Sequence, residues 1–190
     1  MLVAPLIKYL NPSASPTVLG LSGYSGAGTI TATSPDGQPT TAPKVNPARL
    51  GGGVKVYSLT DHIHEREASY HLSWLQPNES KVNVHFTPAV TPWFSGIIST
   101  LSFPLAPGTK VSARDVVQLY KEFYAGEKLV RVKEPDEGVV ELKEVEGNQG
   151  FVVGGVQVSS QGDRVVVVVS GGLLSDSVAS SNCDLTGRTR

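Results

Sequence analysis

Arg164-Val165-Val166-Val167-Val168-Val169 sets five β-branched residues in succession. Valine is stiff about its first side-chain torsion and packs well on a pleated surface, and a run without polar alternation reads as a buried central strand. Left exposed, the same run is an aggregation hazard. Towards the N-terminus, Val152–Val158, Val139–Val145 and Leu129–Val132 read as three further strands, divided by Gly, Asp and Pro. Ser112-Ala113-Arg114-Asp115 has the spacing of a helix capping box. Val116, Val117, Leu119, Tyr120, Phe123 and Tyr124 continue it as a helical stripe closed by Gly126. Ile97–Phe103 reads as a strand, and Val82, Val84 and Phe86 alternate with Asn83 and His85 as a half-buried one. Glu65–Leu75 carries the spacing of a short amphipathic helix, and Val18–Leu21 is a strand running into a glycine-dense turn. Few helices with clustered strands predict an α+β fold with a mainly antiparallel sheet.

Composition narrows the function classes. Of 190 residues, 39% are hydrophobic and 17% charged, which excludes a collagen, a coiled coil or a wholly disordered chain. Sixteen basic against 17 acidic residues leave a net charge of −1, so no global field draws the chain to nucleic acid or an anionic membrane. The single cysteine, Cys183, rules out an internal disulfide framework. Leu2–Leu10 reads as the last turns of a helix, and Pro5 and Lys8 interrupt it well short of a span of about 20 apolar residues, so neither a targeting nor a transmembrane segment is expected. Residues 1–172 read as one domain, with a long, partly mobile loop over 29–53 and a Ser-rich tail over 173–190.

Two stretches carry candidate chemistry. Ser22-Gly23-Tyr24-Ser25-Gly26-Ala27-Gly28 is ordered G-x-x-G-x-G, neither the dinucleotide fingerprint nor a Walker loop, and no lysine or amphipathic helix follows it. The residues leave it as either a tight structural corner or a binding loop. Asp61-His62-Ile63-His64-Glu65-Arg66-Glu67 is the densest titratable cluster. Extended, it would turn His62 and His64 to one face, suited to general acid–base work near neutral pH. The bland reading is a pair of polar residues capping the helix from Glu65. No cysteine or spaced histidine pair completes a closed zinc site, so no metal is expected. Ser25, His62 and Asp61 supply the residue types of a hydrolase triad, but G-x-S-x-G is absent. Asn78-Glu79-Ser80 matches a glycosylation sequon and reads as incidental.

Five motifs in order resemble N-acetyl-gamma-glutamyl-phosphate reductase of arginine biosynthesis, closest in wording to its fungal, mitochondrial form. Ser22–Gly28 resembles its S-G-x-S-G-A-G loop. His62–Glu67 stands at its H-R-H-x-P-E, and Phe86-Thr87-Pro88 through Pro92 to Gly96-Ile97 at its F-T-P…P…R-G-I. Phe123-Tyr124 with Val130-Arg131-Val132 resembles its F-Y…V-R-V, and Gly162–Val168 its G-x-R-V-V-V-V strand. The resemblance spans Val18 to Val169.

The resemblance implies the C-terminal catalytic and dimerisation domain of that enzyme, with a few helices packed on one face of the sheet. That is the fold of the C-terminal domain in the glyceraldehyde-3-phosphate and aspartate-semialdehyde dehydrogenase type. In the family a cysteine attacks the acyl phosphate, NADPH delivers a hydride to the thioester and a histidine handles the proton. By motif, His62 matches that catalytic histidine, and Ser22, Gly23, Ser25 and Gly26 match the loop lining the cofactor cleft. His64 and Glu67 match substrate-binding positions. A homodimer and a mitochondrial matrix location are implied in the same way.

The departures are equally specific. Ser95 stands where the family has Arg, Arg66 where it has Pro, and Gly171–Ser177 lacks the Lys of D-N-L-x-K-G-A-A. The G-C-Y-x-T motif of the nucleophile and the nucleotide-binding domain are not among these residues, and Cys183 stands in another context. The expectation is a chain inactive alone, with no cofactor of its own. The alternative is a repurposed, non-catalytic interaction module that keeps the fold.

Overall fold

The computed structural model describes residues 2–76, 80–145 and 147–172. The tail over 173–190, with Cys183, lies outside them, as do Asn78 and Glu79 of the sequon. The chain opens with a 3-10 helix, Ala4–Tyr9, with Pro5 in its first turn. There follow β1 (Thr17–Gly23), β2 (Thr29–Thr33), β3 (Pro39–Pro43), β4 (Lys55–Val56), α1 (Ile63–Ser73), β5 (His85–Thr91) and β6 (Ile97–Pro104). α2 (Ala113–Phe123), β7 (Val130–Val132), β8 (Phe151–Val158) and β9 (Arg164–Gly171) complete the described part.

Seven strands form one sheet in the order β4-β5-β1-β6-β9-β8-β7. β1 runs parallel to β5 and β7 to β8; the other four neighbouring pairs are antiparallel. The expected α+β fold with a mainly antiparallel sheet is what the chain adopts. The valine run forms β9, interior between β6 and β8. Its burial is one-sided: Val165 and Val167 are fully buried, whereas Val166 and Val168 are half-buried.

The fully covered face carries the core. Leu6 and Ile7 of the N-terminal helix, Leu72 of α1, and Val116, Val117 and Tyr120 of α2 share one cluster with Val18, Leu101, Phe103, Val153, Val165 and Val167. Both α-helices and the N-terminal helix thus pack on one face of the sheet, burying apolar side chains at about 1.5–3 kcal/mol each. The Ser112–Asp115 box forms as spaced: the Ser112 hydroxyl accepts the Asp115 N–H at 3.2 Å, and the Asp115 carboxylate accepts the Ser112 N–H at 2.7 Å. The Ser112 N–H, and after it the Ser112 hydroxyl donating to the same carboxylate at 2.7 Å, hold the Asp115 carboxyl below its usual range. Tyr120 donates its hydroxyl to the Leu2 carbonyl, tying the N-terminus to α2, and burial pushes its phenol well up.

Three expectations are corrected. Residues 29–53 are not one long loop: β2 and β3 pair as a hairpin, and Pro47–Leu50 forms a 3-10 turn. Threonines at alternate positions supply the β-propensity there despite the low hydrophobicity. Val139–Val145 is not a strand. Leu142–Glu144 turns as a 3-10 helix, and Val140 and Val145 bury instead in a small second core with Val152. Val82 and Val84 are buried as their alternation implies, but the ladder begins only at His85. Within Leu2–Leu10 the expected helical turns are present as the 3-10 helix Ala4–Tyr9.

Candidate functional site

β1 ends at Gly23, where the chain turns through a single 3-10 turn, Tyr24–Ala27, held on the 93–96 bend. The Gly23 N–H donates to the Gly96 carbonyl at 2.8 Å, Tyr24 to Trp93 at 3.0 Å and Ser25 to Phe94 at 3.0 Å. The approach is close enough that a Cβ on Gly23 would lie 2.7 Å from the Phe94 carbonyl oxygen and 2.8 Å from Ser95 Cα and N. Glycine is therefore demanded at 23 by the protein's own backbone. Ser22 belongs to the same inner layer. Its hydroxyl donates to the Gly23 carbonyl at 3.1 Å, and its carbonyl accepts from the Thr91 hydroxyl at 2.9 Å. Ser25 differs: its side chain is half-buried and its hydroxyl makes no hydrogen bond among the described residues, with exposed Gly26 beside it.

The second group forms at the start of α1. Asp61, with φ of 59°, is the one non-glycine residue among those described in the left-handed region, and it swings the chain into the helix. His62 then takes the N-cap position with extended backbone, and its Nδ1 accepts the His64 N–H at 3.3 Å. That bond assigns the neutral imidazole's proton to Nε2. Around the His62 ring stand His64 at 4.8 Å, Phe86 at 5.4 Å and Tyr57 at 5.8 Å between centroids. His64 is exposed, and its Nδ1 lies 2.6 Å from Glu67 Oε2. A carboxylate only accepts, so Nδ1 of His64 carries the proton there. The extended H-x-H expected from sequence is thus a helix start, and the two rings meet because the N-cap residue keeps extended dihedrals.

The roles of two members of this group are not read from the sequence. Glu65 sends Oε1 to the Phe86 N–H at 2.8 Å, fastening α1 to β5. A Glu three residues past an N-cap is a capping-box signal, and here it is spent on the neighbouring strand. Phe86 lays its ring over Gly20, with Cε2 only 2.8 Å from where a Cβ would begin.

These contacts relate the two groups. Val18 pairs with Phe86 and Ser22 with Val90 on parallel β1 and β5. Gly20 and Ser22 alternate onto one face of β1, so the Phe86 ring beneath the imidazoles and the Ser22 side chain lie along the same face of this strand pair. A cavity of about 880 Å³ opens beside α1, lined among others by Asp61, Glu65, Arg66, Ser69 and Lys81. Neither His62 nor the serine–glycine corner lines it. Among the described residues, no group of three His, Cys, Asp or Glu side chains is placed to hold a metal ion.

Comparison with known proteins adds three findings. A family model described as the semialdehyde dehydrogenase dimerisation domain matches residues 1–170. "Protein ARG5,6, mitochondrial" of Candida albicans is 38% identical over 169 residues, covering 88% of this chain and 17% of that protein. N-acetyl-gamma-glutamyl-phosphate reductase of Xanthomonas euvesicatoria pv. vesicatoria is 34% identical over 168 residues, covering 88% of this chain and 45% of that protein. The chain therefore spans less than half the length of these curated relatives. Among solved structures, a probable aspartate-semialdehyde dehydrogenase from Pseudomonas aeruginosa aligns over 90% of this chain and 52% of its own, with a TM-score of 0.60 and 14% identity. At that identity the likeness speaks for the fold alone.

Proposed function

This chain belongs to the semialdehyde dehydrogenase dimerisation-domain family, and from that membership we propose that it is the C-terminal catalytic and dimerisation domain of an N-acetyl-gamma-glutamyl-phosphate reductase. The reaction converts an acyl phosphate to an aldehyde in arginine biosynthesis. The bacterial relative's name and the five ordered motifs support this reading. The family description supports a homodimer, and the fungal relative's name supports a mitochondrial setting. The attacking thiol and the nucleotide-binding half are assigned to the relatives' remaining length.

In this reading His62 is the acid–base residue. Its Nδ1 is engaged by the His64 N–H, which leaves Nε2 as the proton-bearing atom. That proton goes to the substrate oxygen on which negative charge develops. Glu67 orients His64, whose remaining nitrogen, an acceptor when Nδ1 carries the proton, is left to take a hydrogen bond from a substrate N–H. NADPH, when bound, supplies the hydride. The corner fits a cofactor wall in part: the free Ser25 hydroxyl and exposed Gly26 are available to it, while Ser22 and Gly23 hold the corner's shape.

The observation that carries the reading is the His64 N–H donating to His62 Nδ1 at 3.3 Å, which assigns the ring proton to Nε2. Nitrogen-15 spectra of the ring check it directly. In an enzyme joining this sequence to the thiol-bearing half, His62→Asn should lower kcat by about 10²–10⁴-fold with little change in KM. Wild-type kcat in that variant, or an Nδ1–H tautomer in the spectra, defeats the assignment.

A further inference from the structure

The hairpin of β2 and β3 stands apart from the body of the protein. Every described side chain of both strands is exposed, and only Ser34 of the turn is half-buried. An isolated two-stranded hairpin is marginal in water, so a free-standing one implies a surface that completes it. Its turn is nevertheless well made. The Ser34 N–H and hydroxyl donate to the Gln38 carbonyl at 2.9 and 2.8 Å, and the Gly37 N–H donates to Ser34 at 2.9 Å. The arm is built in advance of whatever it meets.

Its two faces differ. The register Ile30↔Ala42 and Ala32↔Thr40 puts Ile30, Ala32, Thr40 and Ala42 on one side. The Thr40 hydroxyl donates to the Ala32 carbonyl at 3.0 Å, so it is engaged within the hairpin. The opposite side carries Thr29, Thr31, Thr33 and Thr41. Between Gly28 and Lys44 the only charged residue is Asp36, in the turn. Exposed strands ordinarily carry lysine or inward-pointing charge against unwanted pairing, and this arm carries none along its length. Pro39 and Pro43 offer no N–H, so the β3 edge is a poor template for adding a strand. The apolar face, where Ile30 is 52% exposed, is the part of the arm that offers its largest apolar side chain.

We propose that this hairpin is an arm that lays its Ile30–Ala32–Ala42 face on a second copy of the chain. The occupant follows from the family description as a dimerisation domain. A strand of this length reaches roughly 17 Å, enough to cross an interface. In a two-fold dimer each copy gives one arm and receives one. The arm springs from Gly28, directly after the serine–glycine corner, so its docking also braces that corner. The proposal rests on the homodimer reading above and goes beyond it.

Sedimentation velocity over a concentration series, on the 190-residue chain and its Ile30→Asp and Thr31→Asp variants, tests it. The wild type should dimerise, and Ile30→Asp should raise the dissociation constant about a hundredfold or more, since each of the two arms loses a buried isoleucine. Thr31→Asp, on the opposite face, should stay within about threefold. Hydrogen exchange should show arm amides protected in the dimer and unprotected on dilution. A wild type that stays monomeric defeats both the arm and the homodimer reading. A dimer indifferent to Ile30→Asp, with arm amides exchanging alike in monomer and dimer, defeats the arm alone. Equal weakening by both variants defeats the choice of face.

Discussion

His62 and Phe86 meet edge to face, their ring centroids 5.4 Å apart and their planes inclined by 62°. Phe86 in turn rests on Gly20, so the imidazole's position is set by a stack of three residues from α1, β5 and β1. A change at the bottom of the stack should be felt at the top. Gly20→Ala would set its methyl 2.8 Å from Phe86 Cε2 and 3.0 Å from Cζ. The ring must tilt, at a cost of about 1–3 kcal/mol in urea unfolding. The His62 imidazole resonances should shift with it. Lost stability with unmoved His62 resonances would show that Phe86 does not position the imidazole.

Gly23 and Gly28 bracket the corner and need glycine for different reasons. At Gly23 the three nearest atoms to an added Cβ are all backbone, at 2.7–2.8 Å, so no side chain can swing aside. At Gly28 there is open space, but φ is +78°. Gly28→Ala should therefore cost about 1–3 kcal/mol, since its ψ of −171° puts it in a region essentially confined to glycine, while Gly23→Ala should exceed it, at about 3 kcal/mol or more, by breaking the corner from the 93–96 bend. Denaturant midpoints of the two variants give the ranking, and equal midpoints would refute it.

Asp61 offers a backbone test of the helix start. With φ of 59°, its substitution by glycine should be neutral or slightly stabilising, whereas Asp61→Ala should cost about 1 kcal/mol. If the turn at 61 sets the N-cap, the alanine variant should also loosen the His62 cap. Faster exchange of the His64 amide, relative to amides at the middle of α1, reads that loosening.

The sheet was legible in the sequence wherever one face is buried. Val165–Val169, Ile97–Phe103 and Val152–Val158 announce themselves because burial selects β-branched residues. The capping box was equally plain, since Ser112 and Asp115 satisfy each other locally. The hairpin of β2 and β3 was hidden because it buries nothing: threonine and proline without an apolar run look like a loop. Val139–Val145 misled for the opposite reason. Val140 and Val145 are buried as strand residues would be, yet Glu141 and Glu144 turn the chain between them. At the site, motif resemblance nominated roles for His62, His64 and Glu67, whereas Glu65 and Phe86 stood in those motifs without a role until the fold brought them together. Their roles depend on β5 lying beside α1, a pairing 21 positions apart in the chain.

Glu144 deserves a pH experiment because three donors converge on it beneath the second small core. Lys133, only 6% exposed, sends its ammonium to Glu144 Oε1 at 3.0 Å and Oε2 at 3.2 Å, and Arg131 reaches Oε2 at 2.6 Å. The Glu141 N–H donates at 2.9 Å. That backbone bond, first, and then Lys133 and Arg131, hold the Glu144 carboxyl below 4.5 against the opposing effect of burial. A carboxyl with a depressed folded value binds fewer protons folded than unfolded. Its contribution is thus fully present above pH 4.5 and fades as pH falls through the lowered value. Glu144→Gln should flatten the acid limb of the urea midpoint against pH and, at neutral pH, cost about 2 kcal/mol or more, because the buried Lys133 ammonium loses its counter-charge. Lys133→Met should cost less, about 1 kcal/mol or under, since methionine fills the same apolar channel and Glu144 keeps Arg131 and the Glu141 amide. The order of the two variants decides the matter: a lysine variant worse than the glutamate variant would mean that the buried ammonium, and not the carboxylate, anchors this part of the fold.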